Sequence, residues 1–562
     1  MKVNVVARDE ISAEKFMSRH KSIAGNINVI SGARSLFAVI SDLVSDGDDV
    51  EIFCHDDVFL PSDFLESVST WVVEAERSWP SWGIAGNAGV PVFPMGLGAH
   101  EVIRFLADPH GGPTGCQETV PCQSIDGNLV VLNCKALRSK GFSLPNFSGF
   151  HLYDLVASLE TLRCGLAVLA SPALFCYHDS KGSQIGFEKA WRSSGFQEYL
   201  RDQLLNSEVM TVNGPVKIDR RGVYNDSMEA FDLPVTALLN AGKGRPQPTL
   251  EIVTRTTFQR LGLLERNCLS VDIANEVARV VVNHTIVTGY RAAPEEFCGR
   301  KVVVFETEQL DDRYELVLQT ARRSRADFLW FVDDDDWVFP NRFEMVLSAL
   351  AVSTEDALVC GGAAQFDENL IGHGDELEFG ESSPIRMFES TDLLKSFSGH
   401  NYLPFSACLF PTKVLRDLPE DLVSRVTYYE DFATTLFVAS STRCWTRLLP
   451  WALTGISVRS DGTQSVSSDS RDEWNRSMAE FRPLFLEARS IGQIADVVSA
   501  STFRSPKERL LRDDFVINHL VSQRDEAIEK LEELAGHWTW RVTRPFRIFR
   551  GVRRLLRQKA GF

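Results

Sequence analysis

The chain has 562 residues, of which 44% are hydrophobic and 24% charged. That length exceeds one ordinary core, so two domains with an appendage are expected, and the charge content excludes wholesale disorder. A formal net charge of −17 argues against nucleic-acid binding by the body of the protein.

The N-terminal segment, Met1 to Asp9, has no long apolar region and no signal-peptide cleavage pattern. No stretch approaches the roughly 20 apolar residues that span a bilayer, so membrane contact is expected to be peripheral. The 11 cysteines are scattered without a Cys-x-x-Cys pair. A structural zinc or disulfide framework is therefore not expected, and a reducing compartment fits.

Two distant segments resemble each other. The first runs from Val50 through Cys54 into His55-Asp56-Asp57, then Pro61 and Phe64. The second runs from Leu329 through Val332 into Asp333-Asp334-Asp335-Asp336, then Trp337, Pro340 and Phe343. A shift of 279 places Asp56 on Asp335, Asp57 on Asp336, Pro61 on Pro340 and Phe64 on Phe343. Each is a short apolar run that stops at adjacent carboxylates, as a buried parallel strand does. Open α/β sheets bind ligands beyond the carboxyl ends of such strands. A second pair follows at similar spacing. Tyr153-Asp154 precedes a helix-like run to Leu162, and Glu430-Asp431 precedes one to Ala439.

The organisation expected is α/β: one mixed-sheet domain over 1–205, a linker over 206–248, and a second such domain over 249–465. The linker reading rests on Asn213-Gly214-Pro215 and on the glycines and prolines from Gly242 to Pro248. A helical region over 466–535 and a basic segment over 536–562 complete the chain.

A strand-end acidic cluster followed by a further acid about a hundred residues later suits sugar transfer. Carboxylates hold a divalent cation against a diphosphate leaving group. Another carboxylate takes the acceptor hydroxyl's proton. Both halves resemble glycosyltransferase family 2 domains of the GT-A, Rossmann-like fold. In the second half the resemblance runs through Thr254-Arg255-Thr256, Leu264 and Ser270-Val271, and through Phe331 to Trp337 with Asp333 and Asp335 at the Asp-x-Asp positions. It continues with Asn401 to Ser406 and with Glu430-Asp431. The first half is similar to relatives with a His-Asp-Asp motif. Ser124 to Asn128, Phe150 to Asp154, and Cys176 to Ser180 carry that likeness.

The resemblance implies roles. Asp154 and Asp431, the latter beside Glu430, would be catalytic bases of an inverting displacement. Asp56, Asp333, Asp334, Arg255 and Thr254 would meet the nucleotide-sugar donor. Asp126 and Asn401 would meet the acceptor. Asp57, His178 and Asp335 would hold manganese or magnesium. There are departures. Cys54 stands where the second half has Asp333. No histidine lies between His400 and His519, and Arg459 stands near the place of a late ligand, where it suits a diphosphate instead.

The last segment has no acidic residue after Glu533. Eight basic residues from Arg541 to Lys559 alternate with Trp538, Val542, Phe546, Phe549, Val552 and Leu556 at helical spacing. That pattern suits an anionic membrane surface, with docking on a protein partner as the rival. Similar Trp-Arg-x-Thr-x-Pro segments end many envelope-polysaccharide glycosyltransferases. The expectation is a bifunctional enzyme on the inner face of the bacterial cytoplasmic membrane, acting on a glycan or lipid-linked glycan acceptor. Two readings compete with it. One is a single active second domain beside a degenerate first, and the other is a non-catalytic glycan-binding scaffold.

Overall fold

The computed structural model describes residues 1–92, 102–108, 118–179, 184–220, 230–307, 313–353, 356–371, 378–390, 393, 403–418, 430–440 and 446–458. The expected helical region, the basic segment, Asn401 and Arg459 lie outside them. The chain divides into two compact units between Pro246 and Gln247.

In the first unit, nine strands form one sheet. From one edge, six of them lie in the order Ile27–Ser31, Lys2–Ala7, Glu51–His55, Leu129–Leu132, Trp82–Gly86 and Ala167–Ala170. The first three are parallel. Leu129–Leu132 runs antiparallel to both its neighbours, and Ala167–Ala170 is parallel to Trp82–Gly86. Val3, Val5, Ile52, Phe53, Val130, Ile84 and Val168 are buried, as near-continuous apolar strands covered on both faces require. Helices Leu36–Asp46 and Phe64–Ser78 each present an apolar stripe, through Phe37, Ile40 and Val44 in one and Val68, Trp71 and Ala75 in the other.

The second unit repeats this plan. Its corresponding strands are Asn283–Thr288, Leu250–Arg255, Phe328–Asp333, Cys408–Pro411, Leu358–Ile371 and Thr446–Val458, in the same order. The senses match at every step. Even the small elements keep the shift read from the sequence: the two-residue strands Val58–Phe59 and Trp337–Val338 and the helices starting at Phe64 and Phe343 correspond. The core beneath the acidic turn is aromatic, with Phe331 stacked on Phe405 at 5.3 Å and Phe410 tilted against Phe405 at 4.8 Å.

Within the span expected as a linker, the described residues form a hairpin, Glu208–Thr211 with Gly214–Lys217, and a helix, Leu233–Gly242, which group with the first unit. Gly214 serves the hairpin turn with φ +108°, a conformation that favours glycine. Asp232 caps the helix and a proline occupies its first turn. Asn240 Nδ2 then donates to the carbonyls of Leu162 (2.7 Å) and Leu166 (3.1 Å). The glycines and prolines mark turns and a helix start here. Among the described residues, no helix is long and apolar enough to cross a membrane.

Candidate active sites

In the first unit, strand Glu51–His55 ends at the acidic turn, and Val58–Phe59 pairs antiparallel with Cys176–His178. Val58 lies opposite His178. That pairing brings His178 Nε2 to 3.4 Å from Asp57 Oδ1 across 121 residues of sequence. His55, two residues before Asp57, joins them. One ligand atom from each of His55, Asp57 and His178 lies within 4.8 Å of the other two.

The tautomer of His55 follows from its partner. Tyr153 Oη lies 2.7 Å from the Gly127 carbonyl and 2.8 Å from His55 Nε2. The phenol has one proton and the carbonyl can only accept it, so His55 Nε2–H donates to Tyr153. The lone pair of His55 is left on Nδ1. Metal-bound histidines have this arrangement, with the second ring nitrogen held by a fixed acceptor. Asp57 Oδ1 is buried and accepts no hydrogen bond, an atom that a cation would satisfy. Burial holds His55 below its ordinary pKa and so neutral. Burial works against charge on both Asp57 and His178, yet their mutual contact holds Asp57 low and His178 high. These residues fit a divalent cation.

Asp56, expected at the donor, is clasped by Arg8. Nε donates to Oδ1 and Oδ2 at 3.0 and 3.2 Å, and the Arg8 backbone N–H donates at 2.8 Å. The Arg8 side chain is 60% exposed, so the pair presents a guanidinium outward. Asp126 accepts from Asn128 Nδ2 at 3.0 Å. Burial and the nearby Asp126 push Asp154 up to about 7. Asp154 sits in the first turn of helix Tyr153–Arg163, entered through Leu152 at φ 66°. A left-handed leucine is strained, and such strain persists where the surroundings fix it.

In the second unit the acidic turn is met by arginines. Arg255 donates from Nε to Asp333 Oδ1 at 2.9 Å, pairs with Glu430 Oε1 at 3.3 Å, and lies over the Phe405 ring. Arg260 bridges Asp334 and Asp335, the latter at 2.6 Å. Arg313 lies 3.8 Å from Asp333 and 3.9 Å from Glu430. Arg266 donates to the Asp335 carbonyl at 2.6 Å and covers the Trp337 ring. Asp335, expected to carry the cation, is thus engaged by Arg260.

Burial and Glu430 push Asp431 up to about 7. Burial pushes Asp334 up to about 6, and burial with Asp335 and Asp333 holds Asp336 well above the carboxylate range. Asp333 stays low despite burial, because Arg255 and Arg313 face it.

Thr254, expected at the donor, is fully buried, with no exposed surface from which to meet one. Arg300 Nε donates to His284 Nδ1 at 2.7 Å, so His284 carries its proton on Nε2 and donates to Thr254 Oγ1 at 2.8 Å. The Thr254 hydroxyl donates in turn to Asn267 Oδ1 at 2.8 Å. Asn267 Nδ2 then holds the carbonyls of Asp333 and Asp336, both at 3.0 Å. Thr254 therefore acts on the shape of the acidic turn.

The structure brings together Asp57 with His178, Asp126 with Asp154, and Asp333, Arg255 and Glu430 with one another. It adds His55, Tyr153, Arg8, Arg260, Arg313 and Asn267, which the sequence reading did not assign. His55 had a signal: it stands two residues from Asp57 in the same turn. The arginines had none, because they lie far from their partners in sequence.

No protein-family model matches the chain, and no curated protein matches it. Among solved structures the chain is similar to residues 1–349 of S. aureus TarS, at 11% identity and a TM-score of 0.28, over 46% of this chain and 77% of that one.

Proposed function

We propose that the chain is an inverting glycosyltransferase with two GT-A-type sites, each using a nucleotide-sugar donor, in bacterial surface-polysaccharide assembly. One observation carries the reading. In both units a buried parallel strand ends at an acidic turn, and a half-buried aspartate heads a helix beside it with a pKa of about 7, Asp154 in one and Asp431 in the other. That value suits a general base at neutral pH.

The carboxylate of Asp154 or Asp431 takes the proton of an acceptor hydroxyl. The new bond forms from that oxygen to the anomeric carbon. The bond to the diphosphate oxygen breaks on the opposite face, and its electron pair leaves with the diphosphate. In the first unit His55, Asp57 and His178 would hold manganese or magnesium, which when bound supplies charge neutralisation for the diphosphate. Arg8 presents its guanidinium beside them, and Asp126 lines the base as the acceptor-side carboxylate. In the second unit Asp333 faces the donor, the buried Asp334 is held by Thr256 and Arg260, and Arg255 fixes Glu430 next to Asp431. The acceptor is a glycan or lipid-linked glycan, with Asn401 on its side. The basic C-terminal segment would hold the enzyme to the inner leaflet of the cytoplasmic membrane. The intact histidine pair of the first unit favours two working sites over a degenerate first half.

Calorimetry on the full chain tests the reading. Asp154→Asn and Asp431→Asn should each bind a UDP-, GDP-, dTDP- or CMP-sugar as wild type does while losing transfer from that donor. Transfer that survives both substitutions contradicts the base assignments.

A further inference from the structure

The 279-residue correspondence lets the two sites be compared position by position. His55 corresponds to Asp334 and Asp57 to Asp336. The third member follows from strand register. His178 lies opposite Val58, and Val58 corresponds to Trp337, which lies opposite Gly455. Both strand pairs are antiparallel, so Gly455 occupies the place of His178.

The second unit has therefore lost both imidazoles of the triad. The vacated space is filled. A Cβ at Gly455 would lie 2.1 Å from Trp337 Cε2, so the indole occupies the place where a side chain at that position would stand. The carboxylates nearby are already neutralised. Arg260 spans Asp334 and Asp335, and Arg255 and Arg313 face Asp333. A divalent cation there would have to displace Arg260 and sit among like charges. In the first unit, by contrast, Arg8 clasps Asp56 and lies 3.8 Å from Asp57 Oδ2, while Asp57 Oδ1 faces His178 Nε2 at 3.4 Å and makes no regular hydrogen bond.

We infer that the two units differ in metal use: the first binds one divalent cation on His55, Asp57 and His178, and the second binds none, its Arg260 guanidinium standing in the cation's place. For the second unit this deepens the transferase reading, on which the assignment of a diphosphate to Arg260 rests. A fixed guanidinium meets diphosphate oxygens through paired hydrogen bonds, which a lysine could not reproduce.

The test counts bound Mn2+ on the full chain by electron paramagnetic resonance, with Mn2+ alone as the probe. The inference expects one ion per chain, none in Asp57→Asn or His178→Ala, and one in Asp335→Asn. Two ions per wild-type chain, or none, overturn it, as does one ion that survives Asp57→Asn and is lost in Asp335→Asn. The wild-type count decides even if a variant misfolds, and thermal melting of each variant identifies that case. A count of two with donor turnover intact overturns the inference alone. A count of one with no donor turned over overturns the transferase reading alone.

Discussion

The Tyr153 hydroxyl holds His55 by its Nε2, 2.8 Å away, and thereby leaves Nδ1 as the nitrogen able to bind a cation. Gly127 is part of the device, since a Cβ there would lie 2.1 Å from the Tyr153 oxygen. Tyr153→Phe removes the acceptor while keeping the buried ring. Loss of such an outer partner typically weakens metal binding by about 10- to 100-fold. Mn2+ titration should show that loss without a change in fold, and an unchanged affinity would show that Tyr153 does not set the tautomer.

The bases make transfer pH-dependent. Burial and a neighbouring acid place both Asp154 and Asp431 at about 7. Below that pH the carboxyl is protonated and cannot accept, so kcat/KM should fall about tenfold per pH unit below 7 and level above it. Stability should move the other way. A carboxyl whose pKa is raised on folding favours the fold fully below the ordinary carboxylate range, and that contribution is lost as pH rises through about 7. Rate profiles and urea midpoints over pH 5 to 9 check both signs. A flat rate profile contradicts the assignment.

Gly455→Ala should damage only the second unit. The new methyl meets the Trp337 ring, which is also packed by Arg266 at 4.3 Å and Phe366 at 5.3 Å and has little room to yield. Overpacking of this kind costs about 1–3 kcal/mol. Calorimetry should show one transition moving to lower temperature, with Mn2+ binding by the first unit retained. Equal loss in both transitions would argue against independent sites.

His284 makes the second unit acid-sensitive. Burial and Arg300 hold its pKa down at about 3. A depressed histidine contributes stability that is fully present above its ordinary pKa of about 6.5 and is lost as pH falls toward 3, at roughly 1.4 kcal/mol per unit. From about pH 6.5 to 4 the urea midpoint of wild type should therefore fall relative to that of His284→Asn, a difference that isolates this contribution from the opposing one of Asp431. Parallel midpoint curves for the two proteins over this window would contradict a buried neutral His284.

Much of this architecture was legible in the chain. The strand-turn-helix at Asp57 and its copy at Asp336 needed only apolar runs, adjacent carboxylates and a proline, which are local signals. Asp57 with His178 was legible through family resemblance. His55 stands in the sequence as the first residue of the His-Asp-Asp motif, and its place beside Asp57 follows from alternate residues of an extended turn sharing a face. Arg260 was invisible for a different reason. It reaches Asp334 from 74 residues away, and only the packed sheet brings them together. The hairpin and helix within 206–248 are hard to read from sequence because glycine and proline mark turns inside a domain as readily as between domains. Buried Val209, Val216, Leu233 and Leu238 were the better signal there.

The most direct measurement is nucleotide release by the purified full chain across UDP-, GDP-, dTDP- and CMP-sugars, with manganese and lipid-extract acceptors. Wild type, Asp154→Asn and Asp431→Asn would be run in parallel. The account predicts two donor activities, with each variant losing a different one. Donor turnover by wild type that neither substitution reduces would contradict it.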